Sequence, residues 1–158
     1  MKNVFCTLAL IALTAFPAAA ATRIDDPVAF LRTAYAKWTA GERYEVGEDI
    51  YTERLAALVA LDRKEANGEV PRADDFDFWC NCQDGDIKNV TVKGWSVYGA
   101  VPDRQVVEAK FLLEGKRQDI LFYFEKTNAG WKLDDVQSLG ADAWTLSVIC
   151  KYGWANGK

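Results

Sequence analysis

Five aspartates crowd one short stretch, Asp74 to Asp86, which reads Asp-Asp-Phe-Asp-Phe-Trp-Cys-Asn-Cys-Gln-Asp-Gly-Asp. Carboxylates at that density could hold a hard cation such as calcium, which takes about six to eight oxygen ligands. The glycine and the closing glutamate of a calcium-binding helix-loop-helix are missing, so the pattern reads as a solvated acidic loop. Asp77 and Asp84 stand apart because their neighbours are bulky apolar or amide residues. They are read as caps on backbone N–H groups, with Gln83 bridging. No metal and no cofactor is expected.

The same stretch holds Cys80 and Cys82; Cys150 lies far along the chain, and Cys6 falls in an apolar N-terminal run. In an oxidising compartment the three later cysteines are disulfide material before they are metal ligands. Three is odd, so one thiol is left over or pairs between chains. The favoured reading is a staple from the 74–86 stretch to Cys150, which would contribute roughly 4 kcal/mol by chain entropy. The alternative is a small Cys80–Cys82 ring, easily reduced and therefore redox-capable. Zinc is disfavoured, since the chain has no histidine to complete a ligand set.

Asp135 is the sharpest catalytic candidate. If the last long strand alternates regularly, Asp135 shares a face with Trp131 and Leu133 and points into the core side of the sheet. A carboxylate in apolar surroundings has a raised pKa and can act as a general base, with Tyr35, Tyr98 or Tyr123 as partner. The bland reading makes Asp135 a cap on the following turn. Histidine-assisted serine or cysteine catalysis is excluded by the absence of histidine, and no glycine-rich phosphate loop occurs.

These residues need a scaffold, and the sequence describes one. Lys2 followed by the apolar run Val4 to Phe16 and the small residues Ala18 to Ala21 predicts a signal peptide over 1–21, cut after Ala20 or Ala21. The run is short of the roughly 20 residues a membrane span needs, so the mature protein is expected to be exported, periplasmic or secreted, and off the membrane. A single domain over 22–152 and a polar tail over 153–158 follow. Charge is uneven: residues 22–86 carry 15 acids against 8 bases, whereas 87–158 carry 8 acids against 10 bases. Such an acidic protein without a basic stripe is a poor nucleic-acid binder.

Asp26-Pro27 starts a helix, and Val28, Leu31, Tyr35 and Trp38 place an apolar face over 28–39. Thr52 caps a second helix with Leu55, Leu58, Val59 and Leu61 as its buried stripe, stopped at Asn67-Gly68. From Ile87 the period becomes two. Val90 and Val92 alternate with Thr91 and Lys93, and the parity shift after Gly94 predicts a bulge there. Val107, Ala109, Phe111 and Leu113 form the next inward row, then Ile120, Phe122 and Phe124, then Trp131 and Leu133. Turns fall at Pro102-Asp103, Glu114-Gly115-Lys116 and Asn128-Ala129-Gly130. Asp142 is read as the cap of a short helix, Ala143 to Cys150. Trp144 and Trp154 are the tryptophans expected to be exposed.

The order is α+β: two N-terminal helices packed on a curved four-stranded antiparallel sheet, with a short C-terminal helix. The two helices, the Phe-Asp-Phe…Cys-Gln-Asp segment and the terminal Gly-Trp-Lys-Leu-Asp-Asp-Val resemble the exported bacterial DUF3828 family, similar to the NTF2-like (cystatin-like) superfamily. The likeness rests on Asp77 with Gln83-Asp84 and on Trp131 with Asp134-Asp135, over roughly 27–150. It implies a cone-shaped fold and an exported location, and brings no established activity. The expected function is a non-catalytic binding or interaction protein. A small-molecule ligand or a basic protein partner would meet the open end of the cone at Asp77, Gln83, Asp84, Trp131 and Tyr35. The alternative is a small cone enzyme, isomerase- or hydrolase-like, with Asp135 as base. A homodimer through the sheet or the odd cysteine is a further expectation.

Overall fold

The computed structural model describes residues 21–42, 46–95, 101–140 and 143–154. The signal-peptide run, Tyr98 and the Asp142 cap fall outside these residues.

Helix α1 spans Pro27–Thr39. The Asp26 carboxylate accepts from the Val28 N–H at 2.8 Å and the Ala29 N–H at 3.2 Å, satisfying donors that the first turn leaves orphaned. Leu31, Ala34 and Tyr35 are buried along its inner face, with Val28 and Trp38 packed at the margins. A short 3-10 turn, Glu48–Ile50, leads to α2, Glu53–Ala66. Thr52 caps it by accepting from the Leu55 N–H at 3.2 Å, and Asn67 ends it in the left-handed conformation, φ 49°. Its buried stripe is Leu55, Val59 and Asp62. Leu61 was expected in that stripe; it sits one position off the 3.6-residue face and is exposed.

One antiparallel sheet follows, in the order β1-β2-β3-β4-β5, with β1 Ile87–Trp95, β2 Arg104–Leu113, β3 Lys116–Thr127, β4 Gly130–Ser138 and β5 Trp144–Thr145. The sheet thus has five strands and not four. The extra one comes from the segment expected to begin the last helix, where Trp144 pairs with Ser138 and Thr145 with Gln137. The helix itself, α3, runs Leu146–Tyr152. Pairing of Trp144 with β4 turns its ring inward, so it is buried rather than exposed, and Trp154 packs beside it through Phe76 at 4.8 Å between ring centroids.

The core lies between the helices and one sheet face. Val107, Ala109 and Phe111 of β2, and Ile120, Phe122 and Phe124 of β3, supply the sheet side. Phe111, tilted, and Phe122, edge-on, pack against Tyr35 with ring centroids 5.6 and 6.3 Å away. Gly94 faces α1 so closely that a Cβ would lie 2.8 Å from Val28 Cγ2; its sequence position marks a close approach, not a bulge. The bulge in β1 falls between Lys88 and Thr91, where Asn89 takes φ 56°. Asparagine tolerates that region because its short side chain avoids the clash a branched residue would meet. On the open edge of β1, Arg32 of α1 donates to the Val92 carbonyl at 3.3 Å, which helps protect an otherwise unpaired edge.

A second bulge decides the orientation of the catalytic candidate. Tyr123 faces Asp135 and Phe124 faces Leu133, leaving Asp134 as the extra residue. Leu133 and Val136 are therefore the buried pair, three apart, with Asp134 and Asp135 between them only half-buried. The regular alternation that would have placed Asp135 beside Leu133 is broken one residue before it.

Candidate functional site

The bulge carries Asp135 to the sheet face opposite the main core, alongside Tyr123, Gln137 and Thr145. There it accepts from the Ser147 N–H at 3.0 Å and the Val136 N–H at 2.9 Å, and from the Ser147 hydroxyl. Arg54 adds a contact at 3.6 Å. Thr145, the residue at the α3 N-cap, makes no side-chain cap, so Asp135 caps that helix from the neighbouring strand. Three donors and a guanidinium thus already occupy the lone pairs of this carboxylate. This is capping geometry rather than that of a general base in an apolar cone. Tyr123 donates to Gln137 Oε1 at 2.8 Å, and burial, with Asp135 adding to it, raises its pKa.

Asp134 is equally engaged. It accepts from Thr52 Oγ1 at 2.7 Å and from Arg54 Nε at 3.0 Å. Burial alone would raise its pKa, but these hydrogen bonds outweigh that and hold it below the usual carboxylate value. The bulge therefore joins β4 to the start of α2 and to α3 at once.

Tyr35 and Trp131 are not brought to a common site. Tyr35 is fully inside, its hydroxyl donating to the Trp79 carbonyl at 2.6 Å, and burial followed by the nearby Asp77 charge pushes its pKa well up. Trp131 is half-buried at the far end of β4, where its N–H donates to the Ile24 carbonyl at 2.8 Å.

Asp77, Gln83 and Asp84 do come together. The 77–82 segment closes on itself: Asp77 N–H donates to the Cys82 carbonyl at 2.7 Å, and the Cys80 and Cys82 N–H groups return to the Asp77 carbonyl at 3.3 Å. The Asp77 carboxylate accepts from the Trp79 N–H at 2.9 Å, a local side-chain turn of the kind aspartate favours. Asn81, at φ 56°, ties the turn to the sheet through Gln118 at 3.2 Å and to Trp144 Nε1 at 2.6 Å. Gln83 donates to the Asp75 carbonyl at 3.2 Å.

This turn decides the cysteines. Cys80 and Cys82 form a close pair, Cα atoms 5.2 Å apart, inside the usual disulfide span of roughly 4.4–6.8 Å. Cys150 is free and buried, its thiol pushed up to about 12 chiefly by burial and then by Asp62. The staple to Cys150 is not formed. The reversal of chain at Asn81 brings the nearer partner into range, and α3 carries Cys150 into the core instead.

Beside the turn lies an open cleft of about 700 Å³ between the C-terminal end of α1 and residues 83–89. Among the described residues, Glu42, Asp77, Asp84 and Asp86 line it, with Lys88 as the basic lining residue. The C-terminal end of a helix carries partial negative charge, so α1 adds to the same field. No family model, curated protein or solved structure matches the chain. Among the described residues no group of three or more histidine, cysteine or acidic side chains could hold a metal, and no helix is long and apolar enough to cross a membrane.

The sequence reading missed Glu42 and Lys88 as partners of this acidic cleft. Glu42 follows the left-handed Gly41, φ 79°, which signals a helix end; nothing in its spacing relates it to Asp86. It missed as well a groove of about 340 Å³ on the outer sheet face, lined by Arg104, Tyr123, Gln137 and Thr145.

Proposed function

We propose that this chain is an exported binding protein that engages a cationic partner, a basic protein segment, at the cleft between the end of α1 and residues 83–89. The single observation that carries the reading is the composition of that cleft among the described residues, four carboxylates against one lysine. Like-signed charges in a concave surface focus the potential and raise the local concentration and association rate of an oppositely charged partner. The imbalance of the whole 22–86 segment, 15 acids to 8 bases, extends the same field around it. Catalysis by Asp135 is not part of the proposal, because its carboxylate is engaged with Ser147, Val136 and Arg54.

Two further elements belong to the same proposal. The basic n-region, the apolar run and the small residues of 1–21 support export to a periplasmic or extracellular space. Two helices ahead of an antiparallel meander, with helices covering one sheet face, support the NTF2-like reading of DUF3828 type.

Titration calorimetry with an arginine-rich and a glutamate-rich peptide of equal length tests the cleft. The arginine-rich peptide is expected to bind at least tenfold tighter, with affinity falling as salt rises through about 0.5 M, where screening shortens to a few ångströms. Glu42→Gln, Asp84→Asn and Asp86→Asn together should remove most of that preference. Equal binding of both peptides, or a preference untouched by the triple change, sinks the reading. Mass analysis of protein recovered outside the cytoplasm should find a chain starting at Ala21 or Thr22.

A further inference from the structure

The Cys80–Cys82 pair is an unusual place for a structural disulfide. A crosslink stabilises chiefly by restricting the unfolded chain, and its contribution grows with the loop it closes. This one closes a sequence separation of 2, the least useful loop available to the three cysteines. The turn it spans is meanwhile held without it. Asp77 and Cys82 exchange backbone hydrogen bonds, and the Asn81 side chain is tied to Gln118 and Trp144.

The two cysteines differ in setting. Cys80 is fully buried, whereas Cys82 is partly exposed. Gly85, a residue lining the cleft, packs between Leu113 and Cys82: a Cβ added there would lie 2.6 Å from Leu113 Cδ1 and 4.0 Å from Cys82 Sγ. Cys80 Sγ lies 3.6 Å from the Asp77 carbonyl, so a thiol there has a waiting acceptor once the ring opens. The reduced form would therefore leave no buried donor orphaned and would keep its two sulfurs side by side. These are the attributes of a pair built to open and close.

We propose that Cys80–Cys82 is a thiol–disulfide exchange site that oxidises neutral or cationic thiols, with Cys82 as the sulfur attacked. An incoming thiolate forms a bond to Cys82 Sγ as the Cys80–Cys82 bond breaks. The electron pair stays on Cys80 Sγ, which takes a proton from solvent and donates it in a hydrogen bond to the Asp77 carbonyl. A second thiolate attacks the outer sulfur of the mixed disulfide and releases Cys82 as thiolate, which is protonated in turn. The balance is one protein disulfide and two thiols giving one protein dithiol and one small disulfide. Asp77 pairs with Cys82 across the turn and Asp84 and Asp86 line the adjacent cleft, so anionic thiols are repelled and neutral or cationic ones are admitted.

Three small monothiols of graded charge test this on the native protein: cysteamine, 2-mercaptoethanol and mercaptoacetate. Each rate is divided by that thiol's rate with an uncharged reference disulfide, which removes differences in thiolate fraction and nucleophilicity. Samples are quenched by alkylation and mapped by peptide mass, separating Cys80 and Cys82 from Cys150. The expected result is opening at Cys80 and Cys82 with circular dichroism unchanged. Cysteamine should exceed mercaptoacetate by roughly threefold or more at low salt, the gap closing near 0.5 M salt as screening sets in. Three results would overturn the proposal: free Cys80 and Cys82 thiols in protein isolated without reductant, opening only in denaturant, or mercaptoacetate matching cysteamine at low salt. Because no peptide ligand is involved, the outcome stands apart from that of the binding experiment.

Discussion

Two sets of carboxylates in this protein share a residue type and differ in almost everything else. Asp62, Asp134 and Asp135 are each held by several donors. Asp62 is wholly buried, accepting from Arg72 Nε at 2.6 Å and from the Ala73 N–H at 2.8 Å. Glu42, Asp84 and Asp86 are exposed along one cleft. The first set connects elements: Asp62 fastens α2 to the 72–73 segment, and Asp134 and Asp135 fasten β4 to α2 and α3. The second set gathers charge of one sign along that cleft. An acid that satisfies buried donors is retained for stability, whereas like-charged acids kept together at a surface raise the energy of the chain that carries them. The difference directs the search for function away from the most catalytic-looking aspartate and toward the acids exposed along the cleft.

Substitutions should separate the sets cleanly. Asp62→Ala leaves the buried Ala73 N–H without its acceptor and removes one of the three acceptors that hold Arg72, and is expected to destabilise by about 3 kcal/mol in urea unfolding. Asp135→Ala uncaps α3 and should remove about 2 kcal/mol while leaving binding of the arginine-rich peptide unchanged. A loss of peptide affinity in that folded variant would blur the distinction between the sets.

Asp134→Ala is expected to be milder, about 1 kcal/mol, because its partner Arg54 is nearly half exposed and water screens the pair. Its pH dependence carries the sign. Burial opposes ionisation of Asp134, but the hydrogen bonds from Arg54 and Thr52 outweigh it and hold its pKa below the usual carboxylate value, so the folded state prefers the anion. The stabilisation is then present above about pH 4 and lost as pH falls through the depressed folded value. Wild type and Asp134→Ala should converge in stability once pH has fallen below that depressed value; a gap that persists there would assign the effect to packing instead.

The smallest effect belongs to the cleft. Glu42→Gln, Asp84→Asn and Asp86→Asn should each change stability by no more than about 0.5 kcal/mol, although together they remove most of the preference for a cationic peptide. Marked destabilisation by any of them would move that acid into the structural set.

How far these roles could be read beforehand depends on how local their causes are. The α1 cap was legible in Asp26-Pro27, and the α2 cap and stop in Thr52 and Asn67, because each is decided within a turn of chain. The inward rows of β2 and β3 were legible because alternation survives as long as the ladder is regular. Asp135 was not. Its face depended on whether Asp134 sat in the ladder or bulged from it, and a one-residue slip reverses every side chain beyond it. The β1 bulge was misplaced for a related reason: Gly94 and Asn89 both permit irregular backbone, and only the packing of Val28 against Gly94 distinguishes a close approach from a bulge.

By itself the sequence determined an acidic α+β chain with two capped helices, a run of antiparallel strands and a dense acidic, cysteine-bearing turn between them. Those follow from periodicity, capping chemistry and turn residues, all of which act over a few positions. The tertiary structure decided that Asp135 caps a helix, that Cys80 closes on Cys82 while Cys150 stays buried, and that Glu42 joins Asp84 and Asp86 in one cleft. Each of those depends on where distant backbone segments meet, and the side chains that benefit are silent about it in the linear order.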